Sequence, residues 1–379
     1  MRTILARGAA ALALLAALGA TTIPAAAAAT RPDGVQPSSS ISGGLGAVAA
    51  ISSSNAWAVG STGSNGALIM RWNGASWSQV SAHAPSSSSL NGVAGTSATN
   101  AWAVGGTGAG KPLILRWNGS RWTRISPHLP SGTYLSAVAA TSAHSVWIVG
   151  TRDASNPRTL IIHWNGTTWK QEKSPNPKAG RNNGDVLSAV SVVSNGDVFA
   201  SGARTVRYGG PAGGLILHWN GKTWRQASAS AVTGKVSGVT GIAATSRSSA
   251  FAAGCPCAGG PDGAVIGHWN GRSWVKQHVP VRSLDTSLES IAATSRSSAW
   301  AAGEYCKARC TGGTENPEYL PLLLRWNGHD WKLSTAQVTR SSNVTGLAAL
   351  SASSAWAVGS SNGKILILHW NGSSWKLSS

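Results

Sequence analysis

Short apolar runs separated by Ser, Gly and Asn recur along the chain from about residue 45 to residue 379. In the last copy of this pattern the runs cover residues 347–349, 355–358, 365–370 and 375–377. Apolar runs of this length between turn-forming residues are typical of β-strands. Each copy therefore predicts four short strands, which we call A to D in chain order.

Two motifs mark every copy of the pattern. The first is W-N-G-x-x-W, which occurs seven times and begins at Trp72, Trp117, Trp164, Trp219, Trp269, Trp326 and Trp370. The second is A-W-A-V-G or a close variant, whose aromatic residue is Trp57, Trp102, Trp147, Phe199, Phe251, Trp300 or Trp356. Successive W-N-G motifs are 45, 47, 55, 50, 57 and 44 residues apart, a spacing typical of four-stranded propeller blades.

The sequence thus predicts an all-β fold, a seven-bladed β-propeller of four-stranded antiparallel blades. The predicted blades cover residues 45–89, 90–134, 135–186, 187–238, 239–287, 288–343 and 344–379. Residues 30–44 are interpreted as an N-terminal linker. Seven complete copies leave no strand to be shared between the first and last blades, so the pattern does not say how the ring closes.

The two motifs account for all 19 Trp of the chain, which favours packing between blades over sugar-stacking platforms. The Asn-Gly pair of W-N-G predicts a two-residue type I′ hairpin between strands C and D, because both central residues of that turn need positive φ. Such a hairpin would place Trp72 opposite Ala75 and diagonal to Trp77.

The residue before each W-N-G is always Arg or His, and stacking on Trp explains this more simply than polyanion binding. These residues are Arg71, Arg116, His163, His218, His268, Arg325 and His369.

The hairpin motif resembles the repeats of Asp-box (BNR) propellers, which include the sialidase superfamily and photosystem II assembly-factor propellers. The shared part is Gly74-x-x-Trp77 and its six counterparts, and Trp72 occupies the position of the missing Asp. The resemblance covers about residues 45–379 and implies the fold; fold does not imply activity. Sialidases of that group use an arginine triad, a Tyr with its Glu, and an Asp, and no motif of this chain corresponds to those residues.

Residues 1–29 combine Arg2 and Arg7, an apolar run over 9–20 and small residues up to Ala29. This pattern is typical of a secretory signal peptide, and the apolar run is shorter than the roughly 20 residues that a membrane span needs. We therefore expect a secreted, extracellular monomer with no membrane span. The formal net charge is +19, so anionic partners will be attracted non-specifically.

Two of the four connections in each copy have constant length. The step from the start of strand A to the aromatic residue of strand B is always 12 residues, and the two Trp of each hairpin are always 5 apart. The B–C and D–A connections vary in length. Because alternate turns of an up-and-down sheet lie at the same edge, one face of the disc is predicted to be constant and the other variable. Loops on a rigid scaffold commonly carry binding residues.

The residue types outside the repeat support a site on the variable face. Copies 3 and 4 contribute a basic sector, all four Tyr lie in variable loops, and most acidic residues accompany them. The predicted ligand-binding residues are Arg152, Arg158, Arg181, Arg204, Arg207, Tyr208, Asp262, Glu289, Glu304, Tyr305 and Tyr319. The alternative interpretation is that long loops diverge without a function.

The four cysteines lie in two variable loops of adjacent blades, as Cys255, Cys257, Cys306 and Cys310. An even number of cysteines in a secreted protein favours disulfides over a zinc site. Two bonds that link the loops are preferred, because a Cys255–Cys257 bond would be strained. A Cys306–Cys310 bond is the rival arrangement.

No catalytic motif, cofactor motif or metal-ligand spacing stands out, so no cofactor and no metal are predicted. The preferred interpretation is a secreted binding module that engages an acidic polysaccharide or cell-envelope polymer through its variable face. An extracellular glycoside hydrolase or polysaccharide lyase is the first alternative, with Glu289 as the candidate acid/base and Glu304, Asp262 and Tyr305 nearby. A protein-interaction scaffold is the second alternative, and no specific nucleic acid is expected.

Overall fold

The computed structural model contains seven four-stranded sheets, each with its strands in the order A-B-C-D. It describes residues 40–130, 132–152, 156–176, 183–206, 211–233, 238–255, 263–281, 286–306, 319–336, 338 and 342–378. All seven sheets belong to one unit, Val35–Ser379; the preceding unit, Met1–Gly34, lies outside the described residues, as does the predicted signal peptide. The prediction of a seven-bladed β-propeller with four-stranded antiparallel blades is confirmed.

The strands follow the repeat closely. Blades 1 to 4 contain β1 (Gly43–Ser52), β2 (Asn55–Thr62), β3 (Ala67–Trp72) and β4 (Trp77–Gln79); β5 (Ser88–Ser97), β6 (Asn100–Thr107), β7 (Pro112–Trp117) and β8 (Trp122–Ile125); β9 (Tyr134–Ser142), β10 (Ser145–Arg152), β11 (Arg158–Trp164) and β12 (Trp169–Gln171); and β13 (Asn183–Ser194), β14 (Asp197–Val206), β15 (Pro211–Trp219) and β16 (Trp224–Gln226). A helical turn, α1 (Ser230–Thr233), precedes blade 5. Blades 5 to 7 contain β17 (Gly238–Ser246), β18 (Ser249–Cys255), β19 (Val265–Trp269) and β20 (Trp274–Gln277); β21 (Thr286–Ser295), β22 (Ser298–Cys306), β23 (Tyr319–Trp326) and β24 (Trp331–Leu333); and β25 (Ser342–Ser351), β26 (Ser354–Ser361), β27 (Lys364–Trp370) and β28 (Trp375–Leu377).

The strand ends confirm one constant and one variable face. Every A–B turn has two residues, such as 53–54, and every C–D hairpin has four, such as 73–76. The B–C connections range from two residues, 362–363, to twelve residues, 307–318, and the D–A connections from eight to eleven. We call the side with the A–B and C–D turns the constant face and the other side the variable face.

The predicted geometry of the W-N-G hairpin is wrong. Trp72 lies directly opposite Trp77, and the four residues 73–76 connect them. Only Gly74 has a positive φ, +100°, whereas a type I′ turn needs two such residues. The reason is the Asn73 side chain, whose Oδ1 accepts hydrogen bonds from the N–H groups of Ala75 (2.9 Å) and Ser76 (3.0 Å). These bonds place Asn73 one position before the centre of the turn.

Aromatic clusters hold neighbouring blades together, as predicted. The strand B aromatic residue of one blade packs on the hairpin Trp pair of the next. Trp57 of blade 1 lies 4.9 Å from Trp117 and 5.0 Å from Trp122 between ring centroids. Further contacts of this kind join Trp102 to Trp169, Trp147 to Trp219 and Trp224, and Phe251 to Trp326 and Trp331. The Trp-rich motifs therefore form the interior between blades.

The Arg and His residues before W-N-G stack on these aromatic residues, which confirms their predicted structural role. Arg116 lies over Trp102 at 5.1 Å, and His163 stacks on Trp147 with a centroid distance of 3.9 Å. Burial lowers the pKa of His163, as it does for His268 and His369, so these imidazoles favour the neutral form.

Every A strand contains a β-bulge at the same place. In blade 1, Leu45 pairs with Gly60 and Ala47 with Val59, so Gly46 is left as the extra residue. The extra residues of the other blades are Asn91, Ser136, Ser188, Thr240, Glu289 and Thr345. The glycine that ends A-W-A-V-G sits opposite the residue before this bulge, where a Cβ would overlap a carbonyl oxygen of strand A. Close approach of the two strands thus explains why this position is glycine in all seven blades.

Blade 7 closes the ring directly onto blade 1. Trp356 lies 4.9 Å from Trp72 and 5.0 Å from Trp77, which repeats the packing between blades 1 and 2. The chain at the start of β1 adds two backbone hydrogen bonds, from Gly43 N–H to the Gly363 carbonyl (2.9 Å) and from Ile365 N–H to the Ile41 carbonyl (3.1 Å). Closure therefore needs no shared blade, and β1 starts two residues before the predicted blade boundary at residue 45.

Candidate functional site

A pocket of about 360 Å³ lies on the variable face, where blades 1, 2 and 3 meet. Its lining is rich in hydroxyl groups and backbone, with one aromatic and one cationic side chain: Ser61, Asn65, Ser87, Ser88, Ser89, Gly105, Gly106, Thr107, Gly108, Gly110, Lys111, Thr133 and Tyr134. Small ligands bind in concave sites, and the Ser and Thr hydroxyls of this pocket supply hydrogen-bond donors and acceptors.

Local hydrogen bonds hold the pocket wall in place. The Ser88 Oγ donates to the Pro85 carbonyl (2.7 Å), and the Thr133 Oγ1 donates to the Pro130 carbonyl (2.7 Å). Ser87, directly before Ser88, has a φ of +55°, which is uncommon for a residue other than glycine. Strained backbone of this kind clusters at binding sites.

Tyr134 is the unusual residue of this pocket. The residue is 57% exposed, and it stands at the start of an A strand where most blades carry small residues. The equivalent positions are Gly44, Ser89, Val186, Gly238, Ser287 and Asn343, each directly before the residue that pairs with the strand B glycine. Packing of the fold therefore does not require an aromatic ring at this position.

The predicted basic sector is partly assembled beside this pocket. Arg152 and Arg158 pair directly across the B–C hairpin of blade 3. Arg204 of blade 4 lies opposite Asp185 in the register of β13 and β14. The backbone N–H of Asp185 donates to the Pro157 carbonyl of blade 3 (3.0 Å). The structure thus brings three predicted arginines to the junction of blades 3 and 4 on the variable face.

A central channel is surrounded by the seven A strands. A cavity of about 260 Å³ is lined by the bulge residue and the two residues after it in all seven A strands. Three bulge side chains donate to the A strand of the next blade: Asn91 to the Leu135 carbonyl, Thr240 to that of Leu288, and Thr345 to that of Leu45. These bonds fix the wall of the channel.

Glu289 is the one acidic residue of the bulge ring, and it is exposed in the channel. Burial raises the pKa of the half-buried Glu304 carboxyl, and the negative charge of Glu289 raises it further. The two predicted carboxylates therefore lie within electrostatic range of each other. Tyr305, predicted beside them, is partly buried and packs against the interior between blades 5 and 6.

The remaining predicted residues fall partly or wholly outside the described part of the chain. Arg181, Arg207, Tyr208, Asp262, Cys257 and Cys310 lie outside it. Cys255 ends β18, Cys306 ends β22, and Tyr319 begins β23 opposite Cys306, with no description of their side chains. The disulfide connectivity thus stays a prediction.

Sequence reasoning missed the pocket as a unit. Tyr134 was visible only as one of four loop tyrosines, and neither Lys111 nor Thr133 stood out. The signal was nevertheless present, because aligning the seven copies places a single aromatic residue where the others have residues such as Gly or Ser. The repeat gives no comparable signal for the B–C turn that carries Lys111. The position of this turn beside Tyr134 depends on how adjacent blades pack.

The described residues hold no group of three or more His, Cys, Asp or Glu side chains that could bind a metal ion. None of the helices in the described ranges is long and apolar enough to cross a membrane.

Comparisons place the chain among propellers of known structure. It is similar to YCF48, a photosystem II assembly factor, bound to a D1 peptide, with 17% identity, a TM-score of 0.57, and coverage of 88% of this chain and 95% of that one. YCF48 from Cyanidioschyzon merolae gives 15% identity, a TM-score of 0.57, and coverage of 88% and 97%. The SapL1 lectin in complex with alpha methyl fucoside gives 12% identity, a TM-score of 0.50, and coverage of 79% and 97%.

At these identities the similarity establishes the fold, and it agrees with the predicted likeness to assembly-factor propellers. No protein-family profile matches the chain, and no curated protein matches it in sequence.

Proposed function

We propose that the protein is a secreted binding module whose variable face binds an acidic polysaccharide. In this proposal the Tyr134 pocket receives one sugar ring. Arg152, Arg158 and Arg204 neutralise carboxylates of the neighbouring sugar units. The predicted signal peptide supports a location outside the cell.

The observation that carries the proposal is Tyr134 at the rim of a pocket made of hydroxyls and backbone. A Tyr ring offers a large rigid apolar surface with one polar end, which suits the apolar face of a sugar ring. The surrounding Ser and Thr side chains supply donors and acceptors for sugar hydroxyls.

The basic sector lies next to the pocket in the sheet. Thr151 pairs with Tyr134 across strands A and B of blade 3, and Arg152 is the next residue along the strand. A polymer seated on Tyr134 can therefore reach the arginines without leaving the variable face. Arg is well suited to this role because its guanidinium pairs with carboxylates in a bidentate manner.

A panel of neutral and uronate-containing oligosaccharides, assayed by calorimetry at two salt concentrations, tests the proposal. We expect binding of uronate oligosaccharides by the purified protein. Tyr134→Ser, which copies Ser89 of blade 2, should lower the affinity roughly ten-fold at both salt concentrations. Joint Arg152→Gln, Arg158→Gln and Arg204→Gln substitutions should weaken binding mainly at low salt, because salt screens the attraction between arginine and uronate charges.

Leu377→Ala, on an outer strand of blade 7 where Leu377 is exposed, is the matched control and should bind as the unaltered protein does. Unchanged affinity in Tyr134→Ser, or no binding of any uronate oligosaccharide, would overturn the proposal and favour a protein-interaction scaffold. YCF48 bound to a D1 peptide is an example of a propeller with a peptide partner.

The neighbouring carboxylates Glu289 and Glu304 support a second candidate function, an extracellular glycoside hydrolase. Glycoside hydrolysis uses two carboxyl groups, one of which has a raised pKa, and burial together with the nearby Glu289 raises the pKa of Glu304. The same oligosaccharide panel tests the hydrolase when the release of reducing ends is measured. The hydrolase is supported if turnover occurs and both Glu289→Gln and Glu304→Gln abolish it, and it is rejected if no oligosaccharide is cleaved.

A further inference from the structure

The turns of the constant face contain positions that the fold leaves free. In blade 5, the Asn270 Oδ1 accepts hydrogen bonds from the N–H groups of Arg272 (2.9 Å) and Ser273 (2.9 Å). The Ser246 Oγ accepts one from Ser248 N–H (3.3 Å) across the A–B turn. The turn backbones are therefore held by Asn and Ser, and the side chains at 247 and 272 are not needed to form them.

Cations occupy these free positions in three consecutive blades. Lys222 of blade 4, Arg247 and Arg272 of blade 5, and Arg296 of blade 6 are all exposed. Blades 7 and 1 carry Ala352, Ser373, Ser53 and Ala75 at the same positions. The fourteen constant-face turns are all described, and Asp330 is the one acidic residue within them.

These cations lie on constant-face turns of three adjacent blades. The Trp269 Nε1 donates to the Arg247 carbonyl (3.1 Å), which joins the A–B turn of blade 5 to the hairpin that carries Arg272. The charge of Arg296 contributes to the lowered pKa of His268, after the larger effect of burial, so the turn of blade 6 comes within electrostatic range of blade 5. Lys222 occupies the equivalent hairpin of the adjacent blade 4.

We propose that Lys222, Arg247, Arg272 and Arg296, which we call the turn cluster, bind a linear phosphate polymer. The variable face offers an aromatic ring and a pocket, whereas the turn cluster offers exposed charge on tight turns of fixed length. Recognition there depends on charge density, which is high in a phosphate chain. Three of the four cations are Arg, whose planar fork pairs with phosphate oxygens in a bidentate manner.

The binding surface proposed here is on the opposite side of the disc from the Tyr134 pocket. The protein would then hold an acidic polysaccharide on one face and a phosphate polymer on the other. This inference does not depend on the polysaccharide proposal, because the two surfaces share no residue.

Binding of inorganic polyphosphate, measured at several salt concentrations, tests the inference. The variant Lys222→Ser, Arg247→Ala, Arg272→Ser and Arg296→Ala copies the residues of blade 7 at the same positions, so it should keep the unfolding temperature. We expect its affinity to fall at least ten-fold. The slope of log affinity against log salt should decrease by roughly 0.7 for each lost contact.

The matched control removes four exposed cations elsewhere, with Arg124→Ser, Lys173→Ser, Lys364→Ser and Lys376→Ser. It has the same net charge and should lose less than about three-fold. Equal losses in the two variants would overturn the inference, because net charge alone would then explain binding. Tighter binding of a uronate polymer or of anionic phospholipid vesicles through the same four residues would reject phosphate polymer as the ligand class.

Discussion

At the residue scale, one glycine position in each B strand decides how strands A and B meet. Leu90 pairs with Gly105, and the bulge residue Asn91 follows, so the backbone of strand A approaches strand B too closely for a side chain. The same contact recurs in every blade, which makes the single glycine of A-W-A-V-G a structural requirement.

Adjacent glycines of blade 2 provide a direct test of this requirement. A Cβ at Gly105 would overlap the Ser89 carbonyl oxygen, whereas a Cβ at Gly106 would lie 3.7 Å from the Lys111 carbonyl oxygen, an ordinary contact. Gly105→Ala should lower the free energy of unfolding by about 1–3 kcal/mol. Gly106→Ala should be neutral or up to about 1 kcal/mol stabilising, because it restricts the unfolded chain. Urea unfolding measures the change in the free energy of unfolding for both variants. Equal changes in the two variants would contradict the explanation.

The Asn-Gly pairs show why local sequence predicts some turns and misses others. Asn362-Gly363 forms a two-residue turn with φ of +50° and +74°, as expected for type I′. In W-N-G the same dipeptide lies one position earlier in the turn, because the Asn side chain accepts hydrogen bonds from two N–H groups that follow it. The dipeptide alone does not distinguish these outcomes.

At the element scale, each blade interface is a cluster of three aromatic residues, and the closing interface is equivalent to an internal one. Trp356 contacts Trp72 and Trp77 with the same centroid distances as Trp57 contacts Trp117 and Trp122. Both Trp57 and Trp356 are buried. The ring is therefore held at blades 7 and 1 by packing of ordinary strength.

Substitution of these two residues measures the strength of closure. Trp57→Ala and Trp356→Ala should each cost about 3–5 kcal/mol, because each removes a buried aromatic ring from equivalent surroundings. Trp356→Phe, which copies Phe199 and Phe251, should cost less and serves as the conservative control. Denaturant unfolding provides the comparison. A cost for Trp356→Ala far below that for Trp57→Ala would mean that the ring is not closed by this cluster.

The repeat made most elements predictable. Motif spacing gave the number of blades, the strands and the two classes of turn, because the period of the motif is also the period of the fold. The bulge in strand A was not predictable, since Gly46, Asn91 and Glu289 share no residue type. The Tyr134 pocket depends on three adjacent blades, and its lining comes from segments far apart in sequence.

At the scale of the whole molecule, the two faces of the disc differ in what they can recognise. The variable face combines a pocket, an exposed aromatic ring and three arginines, whereas the constant face carries fixed turns with cations concentrated in blades 4 to 6. Separate chemistry on the two faces predicts separate ligands. Specific recognition of a sugar is expected only where the loops vary.

Hydrogen–deuterium exchange with the tightest-binding uronate oligosaccharide shows which face of the disc binds the sugar. We expect slower exchange of amides in residues 105–111, 133–135 and 150–152, because these segments form the pocket and the adjacent end of blade 3. We expect unchanged exchange in the constant-face turns 73–76 and 270–273. Protection confined to those turns, or equal protection on both faces, would contradict the account.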